Sequence, residues 1–145
     1  MQKELIICST LLIETSPQAL PLGAACIASA LKNDLLTKDK FEVKLISQSL
    51  EDFANKKIDD VALYFANILL EQNPKYLCFS VYVWNRNFIE QTAKVIKQKS
   101  ANIVIIAGGP EVTANPLSFE NFDYTISGAG EKSVPELINC LENNI

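Results

Sequence analysis

A chain of 145 residues that is 48% hydrophobic and 21% charged has the apolar content for one hydrophobic core and is too short for two ordinary ones, which excludes a disordered chain. Its net charge is −4, and Lys32, Lys38, Lys40, Lys44, Lys56 and Lys57 are interleaved with acidic residues, so no basic stripe offers itself to nucleic acid. No apolar stretch approaches the roughly 20 residues that span a bilayer, so a soluble, cytoplasmic protein with no membrane partner is expected.

Leu5-Ile6-Ile7-Cys8 predicts the first strand, a continuous apolar run of the kind needed in a parallel sheet covered on both faces. A loop is expected next, from Ser9 to Pro17. It holds three consecutive apolar residues, Leu11, Leu12 and Ile13, which either line a ligand or partner surface or close off the end of the sheet. Pro21 and Gly23 mark the start of a first helix whose apolar stripe is Ala24, Ile27, Ala28, Leu31 and Leu35. Val43-Lys44-Leu45-Ile46 predicts a second strand, with a short helical turn near Ser49–Phe53. The second helix carries Ile58, Val61, Ala62, Phe65 and Leu69 on one face.

Tyr76–Val81 predicts the third strand. Its end, Ser80-Val81-Tyr82-Val83-Trp84-Asn85, offers a hydroxyl and two aromatics with polar tips. Ser80, Tyr82 and Trp84 suit either a mixed polar and apolar ligand or plain packing, while Asn85 is expected to cap the third helix (Phe88, Ile89, Thr92, Val95, Ile96). Ile103–Ile106 predicts a fourth strand ending in Ala107-Gly108-Gly109-Pro110-Glu111, where adjacent glycines give backbone freedom and remove side chains from a ligand's path. Tyr124-Thr125-Ile126 predicts a fifth, followed by Ser127-Gly128-Ala129-Gly130-Glu131. The last helix (Val134, Leu137, Ile138, Leu141) is opened by Ser133-Val134-Pro135-Glu136, which reads as a capping box.

Strands alternating with amphipathic helices imply right-handed crossovers in a single domain over residues 1–145. The expected fold is α/β, a Rossmann-like (flavodoxin-like) doubly wound five-stranded parallel sheet of order 2-1-3-4-5, in three α/β/α layers with about four major helices. Ligands in such sheets bind beyond the carboxyl ends of the strands. The glycine pattern lacks both GxGxxG after the first strand and GxxxxGK[ST], which argues against dinucleotide or nucleoside triphosphate binding.

Cys8, Cys26, Cys78 and Cys140 lie far apart, each in an apolar stretch, and are expected to be reduced core thiols. They form no CxxC or CxxxCxxC group, so no metal or iron–sulfur site is expected within the chain. The chain has no histidine, which removes imidazole as general base, zinc ligand or axial cobalt ligand. A receiver domain would need a phosphoacceptor Asp after the third strand, and none is present. Hydroxyls on Ser9, Thr10 and Thr15 keep a flavodoxin-like FMN site as an alternative, although that loop has no glycine to wrap a phosphate.

Taken in order, Ser16-Pro17, Pro21-Leu22-Gly23, Phe79–Asn85, Ala107–Glu111 and Ser127–Glu131 resemble the N-terminal cobalamin-binding domain of radical SAM proteins over nearly the whole chain. The strongest markers are Gly-Gly-Pro-Glu and the later Gly-x-Gly-Glu. The resemblance implies a base-off cobalamin held without a histidine ligand, since Ser9–Glu14 stands where a DxHxxG loop would be. It places Ser80, Gly108, Gly109 and Pro110 at the tail pocket, with Gly128, Gly130 and Glu131 along its edge and Tyr82 where a leucine is often found. Leu11, Leu12 and Ile13 would shield the lower cobalt face, with Trp84 beside the site. It further implies a downstream barrel in cis carrying a 4Fe-4S cluster and S-adenosylmethionine, in a methyltransferase or related radical enzyme, with this chain non-catalytic by itself. A cobalamin-free docking domain of a radical SAM protein is the alternative.

Overall fold

Side chains alternate between the two faces of a strand, and here that alternation assigns each residue of the central strands to one of two apolar layers. The computed structural model describes residues 2–53 and 55–145. The elements run β1 (Glu4–Leu12), α1 (Leu22–Asn33), β2 (Phe41–Ser49), a 3-10 turn (Leu50–Phe53), α2 (Ile58–Glu71), β3 (Tyr76–Ser80) and α3 (Arg86–Lys99). There follow β4 (Val104–Gly108), a short α4 (Pro110–Ala114), a second 3-10 turn (Pro116–Ser118), β5 (Tyr124–Thr125) and α5 (Ser133–Glu142). The strands form one parallel sheet in the order β2-β1-β3-β4-β5, as expected.

Leu5, Ile7 and Leu11 of β1, Leu77 and Phe79 of β3, and Ile105 and Ala107 of β4 face the layer filled by Phe65, Ala66 and Leu69 of α2 and Ile89, Ala93 and Ile96 of α3. Ile6 and Cys8, Tyr76 and Cys78, and Ile106 face the opposite layer, filled by Ala24, Ala28 and Leu31 of α1 and Val134 and Ile138 of α5. With both faces covered, the strands need no polar alternation, which accounts for their continuous apolar runs.

Several expectations are corrected. The first strand does not stop at Cys8: β1 pairs residue for residue with β2 from Glu4↔Phe41 to Leu12↔Ser49, so Leu11 and Leu12 lie in the sheet and not in a loop. The polar residues that suggested an earlier end are bonded within the fold, Ser9 Oγ donating to the Ile46 carbonyl at 2.6 Å and Thr10 Oγ1 to the Ser80 carbonyl at 2.7 Å. Leu35 lies beyond the end of α1 and is 83% exposed, because the Asp34 carboxylate accepts from Leu36 N–H and turns the chain there. The capping box is not formed, since Lys132 is already helical and Ser133 therefore lies inside α5 with no side-chain cap. Of the cysteines only Cys8 and Cys78 are buried core thiols. Cys26 is exposed and Cys140 half-buried.

Candidate functional site

Along the α1/α5 face the apolar layer stops short of the carboxyl ends of β3 and β4. The next residues on that face after Cys78 and Ile106 are Ser80 and Gly108, adjacent in the sheet and too small to continue the layer. A hollow of about 170 Å³ opens there, floored by Cys78 and Ile106 and flanked by Gly23, Ala24 and Ile27 of α1 and Val134 of α5. A Cβ placed on Gly108 would meet nothing nearer than the Ile126 backbone at 3.8 Å, so this part of the wall is open space.

Two glycine turns form the rest of the wall. Gly109 has φ +105° and ψ 179°, and a Cβ on it would lie 2.7 Å from the Val81 carbonyl oxygen, so close approach and backbone conformation both require glycine. Gly128 has φ +82° in the turn ahead of α5. The hydroxyl of Thr113 joins the turns, donating to the Gly109 carbonyl at 3.0 Å and accepting from Gly128 N–H at 2.9 Å. Glu111 of the Gly-Gly-Pro-Glu segment pairs with Arg86, at 3.2 Å; Arg86 also bonds Ser118 and lies 4.4 Å from the centre of the Phe119 ring.

Asn85 is fully buried at the N-cap position of α3, yet its side chain does not cap the helix as expected. Its Nδ2 donates to Thr10 Oγ1 at 3.1 Å and to the Leu11 carbonyl at 2.9 Å, and its Oδ1 accepts from Tyr82 N–H at 2.8 Å. The amide thereby fastens the end of β1 to the loop that carries Tyr82 and Trp84. Those two rings stack with centroids 4.5 Å apart and planes 6° apart, and the Trp84 indole N–H donates to the Leu11 carbonyl at 3.3 Å.

The structure brings Ser80, Tyr82, Gly108, Gly109, Pro110, Gly128, Gly130 and Glu131 together around the hollow. It separates Leu11, Leu12, Ile13 and Trp84 from it. Leu11 is fully buried in the α2/α3 layer and cannot face a ligand, Leu12 borders a shallow groove with Thr15 and Ser49, and Trp84 stands outside the hollow behind Tyr82. Ile27, Ile126 and Val134 were not anticipated as lining, because the apolar periodicity that marks them as core gives no sign that the core ends there. Thr113 was missed as well, since its role depends on Gly128, 15 residues away.

The hydrogen bond with Cys8, followed by burial, raises the Cys78 thiol above its ordinary range, so the floor of the hollow is uncharged. Among the described residues no group of His, Cys, Asp or Glu is placed to hold a metal ion, and no helix is long and apolar enough to cross a membrane.

Comparison with known proteins gives the chain a family. The family model described as the B12 binding domain matches residues 9–138. The chain is 35% identical over 69 residues to the cobalamin-dependent radical SAM methyltransferase TokK of Streptomyces tokunonensis, covering 45% of this chain and 10% of that protein. It is 31% identical over 70 residues to 2-(S-pantetheinyl)-carbapenam-3-carboxylate methyltransferase of Streptantibioticus cattleyicolor, covering 46% of this chain and 10% of the relative. The match thus spans about a tenth of the length of each of these curated relatives. With a family match over most of its length and a five-stranded parallel sheet beneath the matched turns, this chain belongs to the B12-binding domain family.

Proposed function

We propose that residues 1–145 are the corrinoid-binding domain of a longer radical SAM protein, and that the hollow over β3, β4 and β5 receives the nucleotide tail of a base-off B12. The observation that carries this reading is the pairing of Ser80 with Gly108, which empties the α1/α5 layer at the ligand-binding end of the sheet. An apolar floor and glycine walls suit a flat ring inserted edge-on, because at Gly108, Gly109 and Gly128 no side chain narrows the hollow. The residues fit the group in kind. In volume the hollow suits one ring better than two, with Tyr82 in its present position.

Ser80, Gly108 and Gly109 would hold the ring of the tail, and Gly128, Gly130 and Glu131 would border the linker that leads to it. Exposed Ile13, Leu20, Leu22 and Val83 give the same end of the molecule an apolar surface suited to the corrin. With no histidine in the chain, the lower face of the cobalt would receive no imidazole from this domain. When bound, cobalamin supplies a cobalt that can carry a methyl group. Radical chemistry, with its 4Fe-4S cluster and S-adenosylmethionine, is assigned to a barrel in cis, a reading supported by the radical SAM character of TokK and the greater length of both relatives.

The position of Tyr82 favours one other reading, a docking domain of a radical SAM protein that keeps the fold without the cofactor. Titration of the purified chain with hydroxocobalamin, followed by its visible absorbance and by gel filtration, decides between the two. Co-migration of the corrin spectrum with the protein is expected, and its complete absence at millimolar corrinoid would leave the docking reading.

A further inference from the structure

Tyr82 reaches across the mouth of the hollow from the β3 loop to α1. Its Oη lies 2.7 Å from the point where a Cβ on Gly23 would sit, and Ser80 Oγ lies 3.2 Å from that point. The tyrosine hydroxyl therefore occupies space that any side chain at position 23 would need. Behind it the ring is backed by Trp84, stacked at 4.5 Å, and its backbone N–H is held by buried Asn85. A stacked aromatic pair favours this position beyond the area it buries.

The space left is about 170 Å³. A dry cavity of roughly 150 Å³ takes one benzene ring, and dimethylbenzimidazole, with nearly twice the heavy atoms of benzene, needs roughly 270 Å³ by the same ratio. The space beneath Tyr82 matches a single six-membered ring, and a second fused ring would have to project through the mouth or displace Tyr82.

We propose that Tyr82 is a specificity-determining residue that selects corrinoids by the size of their tail: stacked on Trp84 it admits a tail ending in one ring, and the bicyclic base of cobalamin enters only when Tyr82 leaves the stack. This rests on the corrinoid reading above and narrows it to a class of corrinoid. The cost of unstacking falls on the bicyclic base alone, so tail-less cobinamide, which need not enter the hollow, is indifferent to residue 82.

The test is an absorbance titration of the purified chain and of its Tyr82→Leu and Tyr82→Phe variants with three probes. These are hydroxocobalamin, aquacobinamide and a corrinoid whose tail ends in a single phenol ring. The wild-type chain is expected to bind the phenol-tailed corrinoid about tenfold more tightly than hydroxocobalamin. Tyr82→Leu is expected to erase that preference by tightening hydroxocobalamin, with cobinamide unchanged, and Tyr82→Phe, which keeps the ring, to preserve it. Equal wild-type affinity for the two tailed corrinoids overturns the proposal without recourse to any variant. So does a Tyr82→Leu chain that keeps its cobinamide affinity and discriminates as before. Failure of all three probes on folded wild-type chain overturns the corrinoid reading and this proposal with it, whereas binding of all three without preference overturns this proposal alone.

Discussion

The hydroxyl of Thr113 accepts a hydrogen bond from the N–H of Gly128 at 2.9 Å, and through its own proton, given to the Gly109 carbonyl at 3.0 Å, it fixes the distance between the two glycine turns. The bond is exposed, so its net contribution to stability is only about 0.5–1.5 kcal/mol, but its geometric effect falls on the wall of the hollow. Thr113→Val is expected to weaken corrinoid binding several-fold with a small drop in thermal midpoint, and Thr113→Ser to restore binding. Absorbance titration beside thermal unfolding separates the two effects, and equal affinity in Thr113→Val and wild type would remove Thr113 from the site.

Gly108 and Gly109 are adjacent but should respond in opposite ways to alanine. At Gly109 a methyl meets the Val81 backbone at 2.7 and 2.9 Å on a chain with φ +105°, so Gly109→Ala should cost about 2 kcal/mol or more. At Gly108 the nearest atom is 3.8 Å away, so Gly108→Ala should leave stability within about 1 kcal/mol of wild type while filling part of the hollow and impairing tail binding. Urea midpoints and corrinoid titrations on both variants check the contrast, which fails if the two lose stability equally.

Removing the Asn85 amide leaves the Tyr82 N–H without its partner and takes one donor from both the Thr10 hydroxyl and the Leu11 carbonyl. Asn85→Leu is expected to destabilise the chain by about 2–4 kcal/mol, measured by urea denaturation. Asn85→Asp should also destabilise at neutral pH, because a carboxylate would face the Leu11 carbonyl. That loss should shrink on acidification, as protonation restores a donor.

At the opposite end of the sheet, Lys75 bridges Glu4 at 2.9 Å and Glu142 at 2.6 Å, and the Tyr76 hydroxyl donates to Glu142 at 2.6 Å. Burial pushes the Glu142 carboxyl up, but the hydrogen bonds from Lys75 and Tyr76 outweigh it and hold its pKa below the ordinary 4.5. A lowered folded pKa contributes stability that is fully present above 4.5 and lost as pH falls through the folded value. Glu142→Gln should therefore cost under about 1 kcal/mol at neutral pH, the usual range for so accessible a pair, and little once the pH lies below the folded pKa. Urea midpoints at neutral pH and about pH 3 test this; an undiminished difference in acid would assign the effect to packing.

The architecture was legible in the sequence because strand and helix periodicities are local. The runs at Leu5, Tyr76 and Ile103 are apolar on both faces, which only a sheet covered on both sides can bury, and the stripes of α1, α2, α3 and α5 show where the covering helices lie. The glycine turns were legible too, since Gly109 and Gly128 adopt the positive φ that glycine most readily allows. The reach of β1 was not, because Ser9 and Thr10 read as polar loop residues until Ile46 and Ser80 supply partners 37 and 70 positions away.

By itself, then, the sequence determined the alternation of elements, the places where backbone replaces side chain, and the absence of imidazole from any site the chain builds. The tertiary structure alone decided that Ser80 and Gly108 fall side by side on one face and so end a core layer. It alone directed Leu11 into the opposite layer and set Tyr82 against Gly23 across the mouth of the resulting space. The reason is one of range: a residue's periodicity is read from its neighbours in the chain, whereas the volume of a hollow is set by side chains that meet only after parallel strands, joined by crossovers, have paired.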